Sequence, residues 1–262
     1  VIPLREQEAI RQRFEQELSG RLRIDYFTQR QSPVIVPGRQ DCVHCEDVRA
    51  MLDEIAHLHP RVSLAVHELA DATKLAAELG VDKVPGIAIR GASNRVLRFA
   101  GFPAGSLFPG FIDTIIEAGR GDIALKPETQ RQLKKLKDDV AVQVFVTPVC
   151  RYSPPVARAA LKMALASSHV GVEVVEAAEF PQLVQRLGLR STPSTLVGGR
   201  LMLSGAIDEA TLLQAVFRVV EGKPLSASDF QPGPATPLPV AEPQGQQQPR
   251  TTTTPSGIIL PR

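Results

Sequence analysis

Tryptophan is absent from this chain of 262 residues, which also holds only three cysteines, three methionines and two tyrosines. Three cysteines cannot build the disulfide framework of a small secreted domain. Charge of one sign is also missing. The formal net charge is +2, too small to mark a nucleic-acid or anionic-membrane surface. No apolar run approaches the ~20 residues that a spanning helix needs. The opening residues Leu4-Arg5-Glu6-Gln7-Glu8 lack the apolar stretch of a secretory leader. The expectation is a cytoplasmic protein with neither nucleic acid nor membrane as partner. Asparagine occurs once, at Asn94. Such depletion of thermolabile residues points to a thermophile, although a GC-rich genome would leave a similar excess of Arg and Ala.

What the chain does have is a repeated motif. Cys42-Val43-His44-Cys45 is followed by Val84-Pro85, with the proline 43 residues after Cys42. Cys150-Arg151-Tyr152-Ser153 is followed by Thr192-Pro193 at the same spacing, 108 residues further on. Apolar, glycine and proline positions match at that offset over about 75 residues, and the offset falls to 104 after the tighter Gly198-Gly199 turn. This is an internal duplication with a domain-sized period. The expected division is 1–121, 122–223 and a tail over 224–262. The tail holds nine of the 22 prolines, and its Pro/Gln/Thr-rich composition predicts disorder.

Periodicity gives each half the same elements. In the first, Leu22 to Phe27 alternates as a strand. Val48, Met51, Leu52 and Ile55 form one apolar helix face. Val62, Leu64 and Val66 alternate again. Leu75 and Leu79 lie on a helix stopped by Gly80. Strands at Pro85–Ile89 and Val96–Phe99 precede a helix through Ile116. Residues 32–40, with two prolines and Gly38, read as a loop. A charged helix over Pro127–Asp138 joins the halves.

The order strand, helix, strand, helix, strand, strand, helix, with Cys-x-x-Cys after the first strand, resembles a thioredoxin fold. The fold class is therefore α/β: two tandem domains, each a central mixed sheet flanked by helices. A sulfur at a helix N-terminus sees unpaired N–H groups and the positive end of the macrodipole. That favours thiolate, the attacking species. Cys42 is the expected nucleophile, and Cys45, one turn on, is within disulfide range to resolve a mixed disulfide. His44 is a tuning residue: a partly protonated imidazole there favours the thiolate and makes the disulfide more oxidising. In thioredoxin-like folds the proline at position 85 is cis and faces the active cysteine. Val84 and Pro85 are then substrate-binding, with the Val84 backbone pairing to an extended chain.

A zinc site competes for the cysteines, with His57 and His59 as further ligands. Those histidines lie about 20 Å along the same helix at 1.5 Å per residue, so no metal is expected. Together with His67 they read as surface residues. In the second half Ser153 replaces the resolving cysteine. Cys150, Ser153, Thr192 and Pro193 form a candidate second site that either reacts as a monothiol, Tyr152 resembling the tyrosine of a glutaredoxin-type motif, or serves as a scaffold.

Asp41-Cys42-Val43-His44-Cys45, Gly101-Phe102-Pro103-Ala104-Gly105 and Val144 to Ser153 together resemble the two-domain, glutaredoxin-like protein disulfide oxidoreductases of thermophilic archaea and bacteria. The resemblance spans about Leu4 to Gly222. It implies cytosolic dithiol–disulfide exchange on protein thiol or disulfide substrates. It implies recycling by a thioredoxin-reductase-like flavoprotein, with no cofactor beyond the redox-active Cys42–Cys45 disulfide. Members usually carry a second Cys-x-x-Cys, which Ser153 removes here. One alternative, implied by the resemblance to tandem thioredoxin folds with a single live dithiol, is an electron donor to one peroxidase; another is a peptide-binding module with a static disulfide.

Overall fold

The computed structural model describes residues 1–30, 41–121, 123–223, 230–239, 252–253 and 259–260. The loop expected over 32–40 lies outside them. Helix α1 (Leu4–Glu17) buries Ile10 and Phe14. It leads into β1 (Leu22–Thr28), α2 (Cys45–His57), β2 (Val62–Glu68), α3 (Thr73–Leu79), β3 (Gly86–Arg90), β4 (Val96–Ala100) and α4 (Phe108–Arg120). Helix α5 (Pro127–Leu133) bridges to β5 (Val140–Val146), α6 (Ser153–Ala166), β6 (Val170–Glu176) and α7 (Pro181–Arg186). Short strands β7 (Ser191–Thr192), β8 (Ser194–Val197) and β9 (Leu201–Ser204) precede α8 (Glu209–Val220), and β10 (Thr236–Pro237) follows.

Each half builds the same four-stranded unit, with the first strand parallel to the second and antiparallel to the third. The halves fuse into one sheet of order β2-β1-β3-β4-β6-β5-β8-β9. The seam is the parallel β4–β6 pair, from Leu97 opposite Val172 to Ala100 opposite Val175. Pairing the two inner edges removes two exposed strand edges at once. Leu22 lies opposite Val62 and Val140 opposite Val170. The first half therefore holds ten more residues between its first two strands, in the connection that contains 31–40. The Gly80 stop is left-handed, at φ 67°, where glycine carries no Cβ penalty.

Several expectations are corrected. The joining helix ends at Leu133 rather than Asp138 and closes with a tight turn, Leu136 N–H donating to Leu133 O at 3.2 Å. The negative end of the macrodipole disfavours the acidic pair Asp138-Asp139 in a last helical turn. The disorder expected of the tail does not hold for residues 230–239, which pack back onto the second half and bury Leu238. Composition alone missed this, since the segment borrows its hydrogen bonds and apolar cover from a groove formed elsewhere. His67, expected at the surface, is mostly buried and joins an ion cluster.

That cluster centres on Asp25, which is fully buried on β1. Its carboxylate accepts from Arg90 at 2.7 Å, Arg23 at 2.9 Å and the His67 ring at 2.9 Å. Burial alone would raise its pKa. Hydrogen bonds from Arg90, His67 and Arg23 outweigh burial and hold it below the usual carboxylate range. A depressed carboxyl contributes stability that is present above its unfolded pKa and lost as pH falls through the folded one. Asp25→Asn should cost about 2 kcal/mol at pH 7. The cost should shrink on acidification below about pH 4, as read from urea midpoints of the two proteins.

Candidate functional site

Helix α2 begins at Cys45, with His44 as its N-cap and the Val48 N–H donating to His44 O at 2.9 Å. The remaining first-turn N–H groups face the end of the chain that carries Cys42. Cys42 and Cys45 form a disulfide with S–S 2.02 Å and Cα–Cα 5.5 Å. Cys42 is 8% exposed and Cys45 1%, so the first cysteine is the less buried of the two. The two sulfurs are bonded to each other, so neither is a thiolate ligand for a metal in this state. The Tyr26 hydroxyl, from β1 beneath the motif, donates to Cys45 O at 2.6 Å. Burial raises the pKa of that phenol, keeping it a donor.

The His44 ring lies 3.1 Å from an Asp47 carboxylate oxygen and 5.9 Å, centroid to centroid, from the Phe102 ring. Val43 between the cysteines is 79% exposed, an apolar side chain held out into solvent. The Val84-Pro85 peptide bond is cis, and the loop lines one cleft with Asp41, Cys42 and His44. The opposite wall, Ala178 to Pro181, comes from the second half, and the cleft measures about 380 Å³. Lys83, just before the cis bond, is pinned across the seam by Glu173, with Nζ 3.0 Å from each carboxylate oxygen. The sheet fusion thus fixes the cis-proline loop as well as the wall facing it.

Two carboxyls that sequence reasoning missed come with that wall. Glu176 ends β6, is buried, and accepts the N–H groups of Ala178 at 3.2 Å and Glu179 at 2.9 Å. Glu179 lines the cleft and accepts the Phe102 N–H at 2.5 Å. Burial pushes Glu176 up to about 6, helped by the neighbouring Glu179 charge and opposed by the two N–H groups and by His44. Burial also raises Glu179. Their signal in the sequence is faint. Glu68, the residue that ends the equivalent strand β2, lies at an outer edge of the sheet rather than at the seam.

The second site keeps the cis bond, at Thr192-Pro193. Cys150 is completely buried, its sulfur 3.2 Å from Thr192 O. Burial raises the thiol, but the Ser153 and Thr236 hydroxyls and the Tyr152 N–H outweigh it and hold Cys150 below its ordinary value. The Ser153 hydroxyl is buried without a well-aligned hydrogen-bond partner, so its proton is available to that sulfur. Pro154 and Pro155 occupy the first turn of α6, where their missing N–H groups cost little. Among the described residues no group of three or more His, Cys, Asp or Glu could hold a metal ion, and no helix is long and apolar enough to cross a membrane.

A thioredoxin-domain family model matches residues 140–218. A protein disulfide oxidoreductase from Aeropyrum pernix K1 superposes with TM-score 0.74 at 23% identity, over 86% of this chain and 97% of that one. The fold is a tandem thioredoxin fold. The N-terminal domain pair of alkylhydroperoxide reductase AhpF from Enterococcus faecalis shares it, with TM-score 0.72 at 19% identity over 82% of this chain and all of that one. In sequence, the F component of alkyl hydroperoxide reductase from Xanthomonas campestris pv. phaseoli is 24% identical over 179 residues, 68% of this chain. Its Pseudomonas aeruginosa counterpart is 21% identical over 182 residues, 70% of this chain. The chain spans about a third of the length of these curated relatives.

A buried carboxyl with a raised pKa binds its proton more tightly in the folded state. The stability it contributes is complete below its unfolded pKa and is lost as pH rises through about 6. Glu176→Gln removes that loss. The variant should therefore be more stable than the parent by about 2 kcal/mol at pH 8 and by much less at pH 4.5, as checked by urea titration at both pH values.

Proposed function

We propose that the chain is a thiol–disulfide oxidoreductase acting on protein substrates through Cys42 and Cys45. The observation that carries this reading is the disulfide at the N-terminus of α2, set against the cis Val84-Pro85 loop in an open cleft. An extended substrate segment pairs with the Val84 backbone by strand addition. Starting from the dithiol, the Cys42 thiolate attacks a substrate disulfide. One sulfur of that disulfide bonds to Cys42 and the other leaves as thiolate. Cys45 then loses its proton and attacks the Cys42 sulfur. The second substrate thiolate is released and the Cys42–Cys45 bond closes, so two electrons have passed to the substrate. Oxidation of a substrate dithiol is the reverse sequence. Glu179, a carboxyl of raised pKa that lines the same cleft, holds and returns the proton that moves in these steps. The exposed Val43 and the cleft behind it suit a protein chain better than a small thiol. A cytosolic location and a flavoprotein reductase as recycling partner belong to the same proposal.

A second reading is favoured by the curated relatives, both of them alkyl hydroperoxide reductase components. In it the dithiol passes electrons to one peroxidase rather than to many proteins. Both readings use the same cysteines and differ in the acceptor.

Insulin reduction with dithiothreitol tests the proposal. Cys42→Ser should lose at least 99% of the parent activity, and Cys150→Ser should keep most of it. The reverse pattern would move the working site to the second half. Cys45→Ser should trap substrates as mixed disulfides visible on a non-reducing gel. Capture of a single peroxidase would select the second reading, and capture of many proteins the first.

A further inference from the structure

In the first half the cis-proline loop faces an open cleft. In the second half a strand already lies on the equivalent loop. Thr236 sits opposite Thr192 and Pro237 opposite Ser191, antiparallel. Leu238 N–H donates to Arg190 O at 2.9 Å. This is the strand addition by which a thioredoxin fold takes an extended peptide, made here within one chain. That register sets Thr236 against Thr192, whose carbonyl oxygen lies 3.2 Å from the Cys150 sulfur. Leu238 fills an apolar cluster with Phe145, Val175, Ala177 and Leu189.

The segment leading in is anchored as well. Gly233 N–H donates to Ser204 O at 3.3 Å, and Ala206 N–H to Pro234 O at 2.9 Å. A Cβ on Gly233 would lie 1.9 Å from Ala206 O, and one on Gly205 2.1 Å from Gly233 O. Both positions therefore need glycine. Phe230 packs on the main core, with the Arg218 guanidinium 5.8 Å from its ring centroid. Pro232, Pro234, Pro237 and Pro239 hold the segment extended before it binds, which lowers the entropy lost on docking.

We propose that residues 230–239 are a built-in ligand of the second half's peptide groove, keeping Cys150 covered until an extended segment of another protein displaces them. The competing segment would carry a small hydroxyl residue opposite Cys150 and an apolar side chain two positions later, as Thr236 and Leu238 do. Tethering gives the strap an effective concentration on the order of millimolar. A free peptide must exceed that, whereas a partner with further contacts need not. The proposal does not depend on exchange at Cys42 and Cys45, and its test reads a different sulfur.

With Cys42 and Cys45 oxidised, Cys150 is the remaining thiol, so alkylation by a maleimide followed by mass spectrometry reports it alone. The full-length native chain should react at least a hundredfold more slowly than the same chain in guanidinium. Leu238→Asp and Gly233→Val, each in the full chain, should raise the native rate at least tenfold. A synthetic peptide of residues 230–239, added at millimolar concentration to the Leu238→Asp protein, should restore the slow rate. The proposal is overturned if the native chain already reacts like a free thiol, if both variants stay slow, or if the peptide gives no protection. Should a variant unfold, hydrogen exchange in the unmodified protein answers instead. The Leu238 and Ala206 amides should exchange at least a hundredfold slower than unstructured chain, and exchange at the unstructured rate would sink the idea.

Discussion

The parallel pairing of β4 with β6 is the contact on which the rest of the molecule depends. It joins two four-stranded sheets edge to edge, and β6 runs on past the seam into Glu176 and the wall from Ala178 to Pro181. Without that pairing the Cys42–Cys45 site would be half a cleft, open on the side where Glu179 and Phe180 now stand. Lys83 and Glu173 tie the cis-proline loop to the same seam, and Arg158 of α6 reaches Glu117 of α4 at 2.6 Å beneath it. The cleft at Cys42–Cys45 is therefore assembled from both halves, although both of its cysteines lie in one.

The duplication has diverged in a consistent direction. The first half keeps two cysteines and an open loop, and it receives carboxyls from its neighbour. The second half faces the outer end of the sheet, has a serine in place of its resolving cysteine, and carries a strap across its groove. The strap on Ser191–Thr192 shows how an extended segment lies along the loop equivalent to Lys83–Val84. A β-strand offered to a cis-proline loop is bound through backbone groups, so one geometry accommodates many sequences.

Most of the architecture was legible in the chain. Cys42, Cys45, Pro85, Cys150 and Pro193 are punctuation marks at fixed spacing, and the period-two and period-3.6 runs between them fix strand and helix without tertiary knowledge. What was not legible depends on distant partners. Glu179 reads as an ordinary acid just after a strand until the seam sets it in the other half's cleft, with Glu176 buried behind it and accepting its N–H. Tyr26 reads as one more strand residue, and only packing places its hydroxyl under Cys45. His67 looks solvent-facing until Asp25 is buried beside it. The segment 230–239 is compositionally indistinguishable from a disordered tail, because its order comes from a groove built some forty residues earlier.

The central claim is that one half cycles an electron pair while the other can only bind or wait. Equilibrating the full chain with dithiothreitol buffers, alkylating the free thiols and weighing the products tests it directly. The account predicts one reversible two-electron couple per chain, assigned to Cys42 and Cys45, with a midpoint between about −280 and −120 mV. A midpoint below about −300 mV would mark that bond as structural. A couple involving Cys150 would contradict the division of labour between the halves.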